Sequence, residues 1–232
     1  MPSTPECKGQ FERSEASAVP ASLGKGDEVY SPPSHSRQGR FVTLQPVRRH
    51  HQPFLFWLTM GDDSGARWRF RGVVPREEVF ERLLWEGVLT QLLVERRTSG
   101  EPVGLASAYA ADLVGGTVRA AVVLTPAATG RGLGVEVLML FARHLFDTWR
   151  IRKIYLEAPG FTCGQFHSAI GRYLHEEACL RDDELADGRF WDTSVLALYP
   201  DDLRHFEQRF GLFYARRPLP TNEPTGNGGG RS

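Results

Sequence analysis

The 232-residue sequence has few cysteines, and their spacing suits neither cross-linking nor metal binding. Cys7, Cys163 and Cys179 are odd in number and widely separated, so they form neither a disulfide framework nor a CxxC pair. None of the seven histidines falls into a metal-binding spacing such as HExxH. These absences predict a cytoplasmic protein from a reducing compartment, without a metal site.

Two further absences exclude whole classes of partner. Basic and acidic residues balance at 28 each, which leaves no basic excess to bind nucleic acid. No apolar run approaches the ~18 residues of a membrane-spanning helix, and the N terminus lacks the apolar core of a signal peptide. The sequence therefore predicts a protein that binds neither nucleic acid nor a membrane.

The remaining composition indicates one globular domain with two polar ends. Hydrophobic residues make up 41% of the chain, enough for a core. Residues 1–39 and 213–232 are rich in Ser, Pro, Gly and charge without any period, which predicts a disordered N-terminal arm and a disordered C-terminal tail. Residues 40–212 between them form the predicted domain.

Periodicity within this domain alternates between strand and helix. Strands are predicted over 40–47, 88–97, 101–111, 117–124, 152–159, 179–185 and 189–200. Helices are predicted over 51–60, 75–86, about 132–148 and about 164–176. The order implies an antiparallel meander, one strand–turn–helix–strand crossover and a closing hairpin, which is an α+β fold with one parallel crossover.

A short turn between a strand and a helix contains three alternate glycines: Gly130, Gly132 and Gly134. Glycines let backbone amides approach a ligand closely, and a helix N terminus favours an anion. The turn lacks the Lys-Ser or Lys-Thr pair of a Walker loop and the GxGxxG spacing of a dinucleotide site. The remaining interpretation is a diphosphate-binding turn, to which Arg131 would add a charge-assisted contact.

The stretch “PAATGRGLG” in this position resembles the coenzyme A turn of the GNAT N-acetyltransferase superfamily, Q/R-x-x-G-x-G/A. Gly132 and Gly134 match that pattern, while Thr129 replaces the usual Gln or Arg. The closing “EEACLRDDELADGRFWD” resembles the hairpin of the branch that includes ribosomal-protein alanine acetyltransferases, although Ala178 replaces a glycine. The matching residues of that hairpin are Leu180, Arg181, Asp182, Asp187, Gly188 and Asp192.

This resemblance covers about residues 40–200 and implies both a fold and an activity. The fold is a GNAT-like mixed sheet, an antiparallel meander plus one parallel crossover with a splayed strand pair, with helices on both faces. The activity is direct transfer of an acetyl group from acetyl-CoA to a primary amine, either a small molecule or a protein N-terminus, by a monomer or homodimer. The implied donor-binding residues are Leu124, Thr125, Thr129, Gly130, Arg131, Gly132, Leu133 and Gly134.

Within that site, the backbone of Leu124 and Thr125 would stabilise the oxyanion. Thr162 and Ala169 stand where the family usually has Asn and Tyr, and neither can do the usual job. Cys163 has no activating neighbour, so we do not expect an acyl-enzyme. The candidates that remain for proton transfer are Ser168, Glu157, Tyr173 and His167.

For three of these candidates a plainer interpretation stays open. Ser168 is preferred because a hydroxyl in the predicted helix would reach the sulfur, but it equally suits a solvent-facing serine. His167 has a suitable pKa range for an acid or base, although surface histidines are common. Glu157 would act as a base through water, or would simply form an ion pair at the end of a strand.

The stretch “RWRFRG” is the candidate acceptor site. Alternation along a strand would place Arg67, Arg69 and Arg71 on one face and Trp68 on the other, which suits an acidic or aromatic amine. An ordinary amphipathic strand fits equally well.

Two further functions remain open. One is a non-catalytic acyl-CoA-binding module, which the missing Asn and Tyr favour. The other is an acyltransferase that takes its acyl group from an acyl carrier protein, since the pantetheine arm is common to both donors.

Overall fold

The computed structural model describes residues 37–60, 70, 73–129 and 132–210, apart from the side chain of Gln165. The predicted arm over 1–39, except its last three residues, and the predicted tail over 213–232 lie outside these ranges. The strands are β1 (Val42–Pro46), β2 (Val88–Arg96), β3 (Pro102–Asp112), β4 (Thr117–Leu124), β5 (Lys153–Pro159), β6 (His175–Ala186) and β7 (Arg189–Leu198). The helices are α1 (Gln52–Met60), α2 (Glu77–Trp85), α3 (Leu133–Thr148), α4 (Gly160–Cys163) and α5 (Pro200–Phe210).

The strands form one mixed sheet in the order β1-β2-β3-β4-β5-β7-β6. Strands β1 to β4 are an antiparallel meander, while β4 and β5 run parallel. Their ladder joins Thr117–Arg119 to Lys153–Tyr155 and goes no further, although the two strands continue to Leu124 and Pro159. The predicted splayed strand pair is therefore confirmed.

Helices cover both faces of the sheet because side chains alternate along each strand. Leu92 and Val94 of β2 belong to a core that includes α3 and Leu203 of α5, which we call the α3 face. Leu93 lies in the opposite core with Leu55 of α1 and Phe80 of α2, which we call the α1/α2 face. This arrangement confirms the predicted fold class. No helix in the described ranges is both long and apolar enough to cross a membrane.

The predicted helix over 164–176 is wrong. Helix α4 ends at Cys163, a 3-10 turn covers Gly164–Phe166, and β6 already begins at His175. Phe166, Ala169 and Ile170 pack on the α3 face, and this spacing of three and four residues imitates an amphipathic helix. Gly171, at φ +78°, instead breaks the segment into turns.

Two helix starts also differ from expectation. Helix α2 begins at Glu77, and Arg76 before it is extended, so Pro75 precedes the helix rather than opening it. Helix α5 was not predicted at all, although Pro200 at its start and the acidic Asp201 and Asp202 in its first turn are ordinary start signals.

The sequence motif of the closing hairpin consists largely of residues that shape the hairpin itself. Asp187 and Gly188 connect β6 to β7 with φ values of 52° and 75°, the left-handed geometry that an Asp-Gly turn favours. Asp182 sits at a break in the β6–β7 register with φ 48°, and its N–H donates to the Asp192 carboxylate (2.9 Å). All three matching aspartates therefore help to build the hairpin.

A polar cluster joins β5, β6 and Tyr199, which follows β7. It lies near the end of the β4–β5 pair that stays hydrogen-bonded, which we call the closed end of the splay. Lys153 Nζ donates to both carboxylate oxygens of Glu177 (3.0 and 2.8 Å). The hydroxyls of Tyr199 and Tyr155 donate to the same carboxylate (2.6 and 3.0 Å). The hydrogen bond from Lys153, followed by that from Tyr199, lowers the pKa of Glu177 to about 2.

We expect Glu177→Gln to lower the melting temperature by a few degrees at neutral pH, where the folded protein gains from the carboxylate. Because the pKa of Glu177 in the folded protein lies below its ordinary value of 4.5, the stabilisation by the carboxylate is complete above pH 4.5. It is lost as the pH falls through about 2. The difference between wild type and variant should therefore shrink over that window in thermal unfolding followed by circular dichroism. Glu81→Gln, in an exposed position on α2, should show no such pH-dependent difference. A difference that stays constant down to pH 2 would contradict this origin.

Candidate active site

The backbone of β4 faces the gap that opens between β4 and β5. The Thr125 N–H donates to the Val103 carbonyl (2.9 Å), so the alternation of an antiparallel ladder turns Val122 and Leu124 the other way. Their N–H and C=O groups point toward β5, beyond the end of the β4–β5 ladder. An extended, amide-containing ligand would pair with this free edge as another strand does. Of the two predicted oxyanion donors, Leu124 presents its amide to the gap, whereas the amide of Thr125 is already used.

At the open end of the same gap lies the N terminus of α3. The Thr129 hydroxyl is turned back onto the Pro126 carbonyl (2.6 Å). Gly132 precedes the helix at φ +78°, and no described side chain caps it. A side chain at Gly132 would meet no described atom within 4 Å, and one at Gly134 would meet only Leu124 (3.8 Å). The first amides of this 16-residue helix have no side-chain cap among the described residues, and such a helix end suits an anion. Gly130 and Arg131 lie outside the described residues.

On the α1/α2 face, three strands bring polar side chains together beside the gap. Glu157 of β5 accepts from Arg119 Nε of β4 (2.8 Å) and from the Tyr109 hydroxyl of β3 (3.3 Å). Tyr109 and Arg119 are direct partners in the β3–β4 register. The Glu157 side chain keeps 30% of its surface exposed. Each carboxylate oxygen retains a second lone pair, so Glu157 can still accept a proton, directly or through water.

Sequence reasoning proposed Glu157 but missed Tyr109 and Arg119. Alternation along the predicted meander would have placed both on one face. Their pairing depends on register, and a turn of different length would have separated them.

Comparison with solved structures identifies the architecture. Spermidine N-acetyltransferase from Vibrio cholerae in complex with CoA and spermine matches with a TM-score of 0.59 at 16% identity, over 70% of this chain and 98% of that chain. The spermidine/spermine N-acetyltransferase from Vibrio cholerae in complex with manganese ions matches with a TM-score of 0.58 at 17% identity, over 72% and 96% of the two chains. The chain has the GNAT N-acetyltransferase fold. No protein-family model and no curated protein matches the sequence.

Within this GNAT fold, Ser168 and His167 are exposed and follow the 3-10 turn after α4. Their neighbours Phe166 and Ala169 pack on the α3 face. The described partners of Glu157 are Arg119 and Tyr109, and they include neither Ser168 nor His167.

Tyr173 lies at the closed end of the splay. Its ring is buried against Phe206 and Phe210 of α5, with centroid distances of 5.2 and 6.2 Å. Two residues later, His175 pairs with Ala197, which is level with the closed end of the β4–β5 pair. Tyr173 lines a separate cavity of about 520 Å³ there, together with Arg172, His205, Gln208 and Arg209.

Thr162, which stands where the family usually has Asn, has a structural role. The Thr162 hydroxyl donates to the Pro159 carbonyl (3.0 Å) and so closes the turn after β5. Cys163 is half-buried and has no disulfide partner among the described residues.

The predicted acceptor residues Arg67, Trp68, Arg69 and Arg71 lie outside the described residues. Phe70 between them is buried and contacts the Phe80 ring of α2 (5.9 Å). Across the described ranges, no group of three or more His, Cys, Asp or Glu side chains is placed to hold a metal ion.

Proposed function

We propose that the protein is an acetyl-CoA-dependent N-acetyltransferase that transfers an acetyl group directly to a primary amine. The observation that carries this proposal is the β4–β5 gap. It has a free backbone edge along one side, a helix N terminus without a described side-chain cap at its mouth and the Glu157 carboxylate on the α1/α2 face.

The donor site follows from the backbone. The amides of the pantetheine arm would pair with Val122 and Leu124, and the diphosphate would lie at the first amides of α3, at Gly132, Leu133 and Gly134. The predicted turn residues Thr129, Gly130 and Arg131 complete this proposal. Support comes from the CoA complex among the similar structures.

The chemistry requires proton transfers at both the nitrogen and the sulfur. The ammonium form of the substrate loses a proton to Glu157, directly or through water, and the neutral amine nitrogen attacks the thioester carbonyl. Negative charge develops on the carbonyl oxygen, where the Leu124 N–H would stabilise it. The C–S bond then breaks, the positively charged nitrogen gives up its second proton, and the thiolate takes up a proton. Ser168 and His167 stay predictions for that last step, with solvent as the alternative.

The acceptor is better supported as a small-molecule amine than as a protein N-terminus. The similar structures carry the name of enzymes that acetylate spermidine or spermine. The resemblance to the alanine acetyltransferase branch rests on hairpin residues such as Asp182 and Asp192, which are occupied in shaping the hairpin. That motif therefore supports the fold and carries no argument for a peptide acceptor.

Turnover tests the proposal. Purified protein is incubated with acetyl-CoA and a panel of primary amines, thiol release is followed with a thiol-reactive dye, and acetylated product is identified by mass. We expect turnover of at least one small amine that depends on protein concentration. Acetyl-CoA binding without any turnover would instead favour a non-catalytic acyl-CoA-binding module. Equal rates with acetylated dephospho-CoA would favour an acyl carrier protein as the natural donor.

A further inference from the structure

Two polar side chains of the α1/α2 face are buried without a hydrogen-bond partner. Gln91 of β2 is 2% exposed and Ser107 of β3 is fully buried. Neither the two amide atoms of Gln91 nor the Ser107 hydroxyl has a partner in the described part of the chain. Native proteins satisfy nearly all such groups, because an orphaned polar group keeps its full desolvation penalty. A ligand bound at this face would supply the missing partners.

The sheet register places these two side chains in one row with Glu157. Gln91 pairs with Ser107, and Ser107 pairs with Ala121 of β4. Arg119 pairs with Tyr155 of β5, so Ala121 and Glu157, each two residues further, lie level on the same face. The row therefore runs across four strands, from Gln91 through Ser107 and Ala121 to Glu157.

Burial is greater at the β2 end of this row. Glu157, whose side chain is 30% exposed, and Ala121 are both half-buried, whereas Ser107 and Gln91 are buried. Ala121 contributes only a methyl group to the row, so its side chain fills little of the space above β4. A molecule whose amine lies at Glu157 would extend over Ala121 toward Ser107 and Gln91.

We propose that Gln91 and Ser107 form the inner end of the acceptor site and select a primary amine with a neutral hydrogen-bonding group, a hydroxyl or an amide, at the far end of its chain. This inference rests on the proposed acetyl transfer. Amide and hydroxyl groups can each donate and accept, which suits a neutral polar group. The next row toward the mouth of the gap is apolar, with Leu93 and Leu105.

A second ammonium group fits this inner end poorly. Gln91 and Ser107 offer it no negative charge, and Arg119 on the neighbouring row is positive. A buried cation without a carboxylate partner is unfavourable. The site should therefore discriminate against diamines, in contrast to the spermidine acetyltransferases that share the fold.

The strand spacing sets the length of the acceptor. Two strand spacings between β3 and β5 amount to about 10 Å, and the splay of β4 from β5 adds to this. A hydrogen bond at each end takes up about 3 Å, so a chain of about five carbons is a suitable probe. Pentylamine, aminopentanol and diaminopentane form a matched series of this length that differs only in the terminal group.

The experiment compares wild type with Gln91→Met and Ser107→Ala. Thr193→Val is the matched control, because Thr193 is also buried with an unpartnered hydroxyl but lies on β7, beyond β5. For each amine, kcat/KM with acetyl-CoA and the melting shift of the CoA-bound protein are measured. We expect wild type to prefer aminopentanol at least tenfold over the other two amines. Gln91→Met and Ser107→Ala should reduce that preference below threefold without lowering the melting temperature of the free protein, and Thr193→Val should keep it.

The two readouts separate this inference from the proposed function. Turnover of amines with no preference for the hydroxyl, or a preference that both variants retain, would overturn the role of Gln91 and Ser107 while leaving acetyl transfer intact. Binding of aminopentanol that depends on Gln91, without turnover, would support the acceptor site and overturn the transferase activity. Because Ser107→Ala removes only one hydroxyl, it keeps the test decisive if Gln91→Met does not fold.

Discussion

Replacing Gly132 by glutamate should weaken acetyl-CoA binding at least 100-fold in isothermal titration. Gly132 holds φ +78°, which costs an L residue roughly 1–2 kcal/mol, so the turn would tend to rearrange. The new carboxylate would also occupy the space in front of the α3 amides and repel a diphosphate there. Together, these effects need to supply about 2.7 kcal/mol for the expected loss.

Gly132→Asn is the control that separates charge from backbone strain. Asparagine tolerates the left-handed region, carries no charge and would meet no described atom within 4 Å of its Cβ. We expect this variant to bind acetyl-CoA within tenfold of wild type. If Gly132→Glu binds as tightly as wild type, the turn does not hold the diphosphate and the donor site must be sought elsewhere.

The features that sequence predicted best are those fixed by local chemistry. The left-handed Gly132, the helix after it and the Asp-Gly hairpin each depend on residues close together in the chain, and all three are present. The splayed strands followed from the family resemblance rather than from pattern. The helix over 164–176 failed because apolar spacing alone does not distinguish a helix from a series of turns that buries the same residues.

The candidate site was harder to predict because it depends on register across strands. Glu157 was found from its place at a strand end, but its partners Tyr109 and Arg119 come from the two preceding strands of the meander. Period-2 alternation predicts which face a side chain occupies, whereas register decides which residues are neighbours. The β2–β3 pair alone contains two register shifts, so counting from the turns would misplace Gln91 and Ser107 relative to Glu157.

Glu157→Gln should lower kcat at least 100-fold for any amine that the wild type acetylates, with little change in acetyl-CoA affinity. The amide is the same size, its oxygen can still accept from Arg119, and its NH2 group can donate to the Tyr109 hydroxyl, so the local structure should persist. It cannot take the proton from the ammonium group, which is the contribution of a general base, worth about 100- to 10,000-fold. Steady-state kinetics give kcat, and titration with acetyl-CoA shows whether the donor site is intact.

The same change at Glu177 is the matched control, since that carboxylate also accepts hydrogen bonds from a cation and a tyrosine but lies at the closed end of the splay. Glu177→Gln should leave kcat within twofold. Tyr109→Phe removes one hydrogen bond to Glu157 and should cost less than Glu157→Gln, because it loosens the base without removing it. Should Glu157→Gln retain full kcat, water or another group must take the proton. The Arg119–Glu157 pair would then serve only to hold the two splayed strands together.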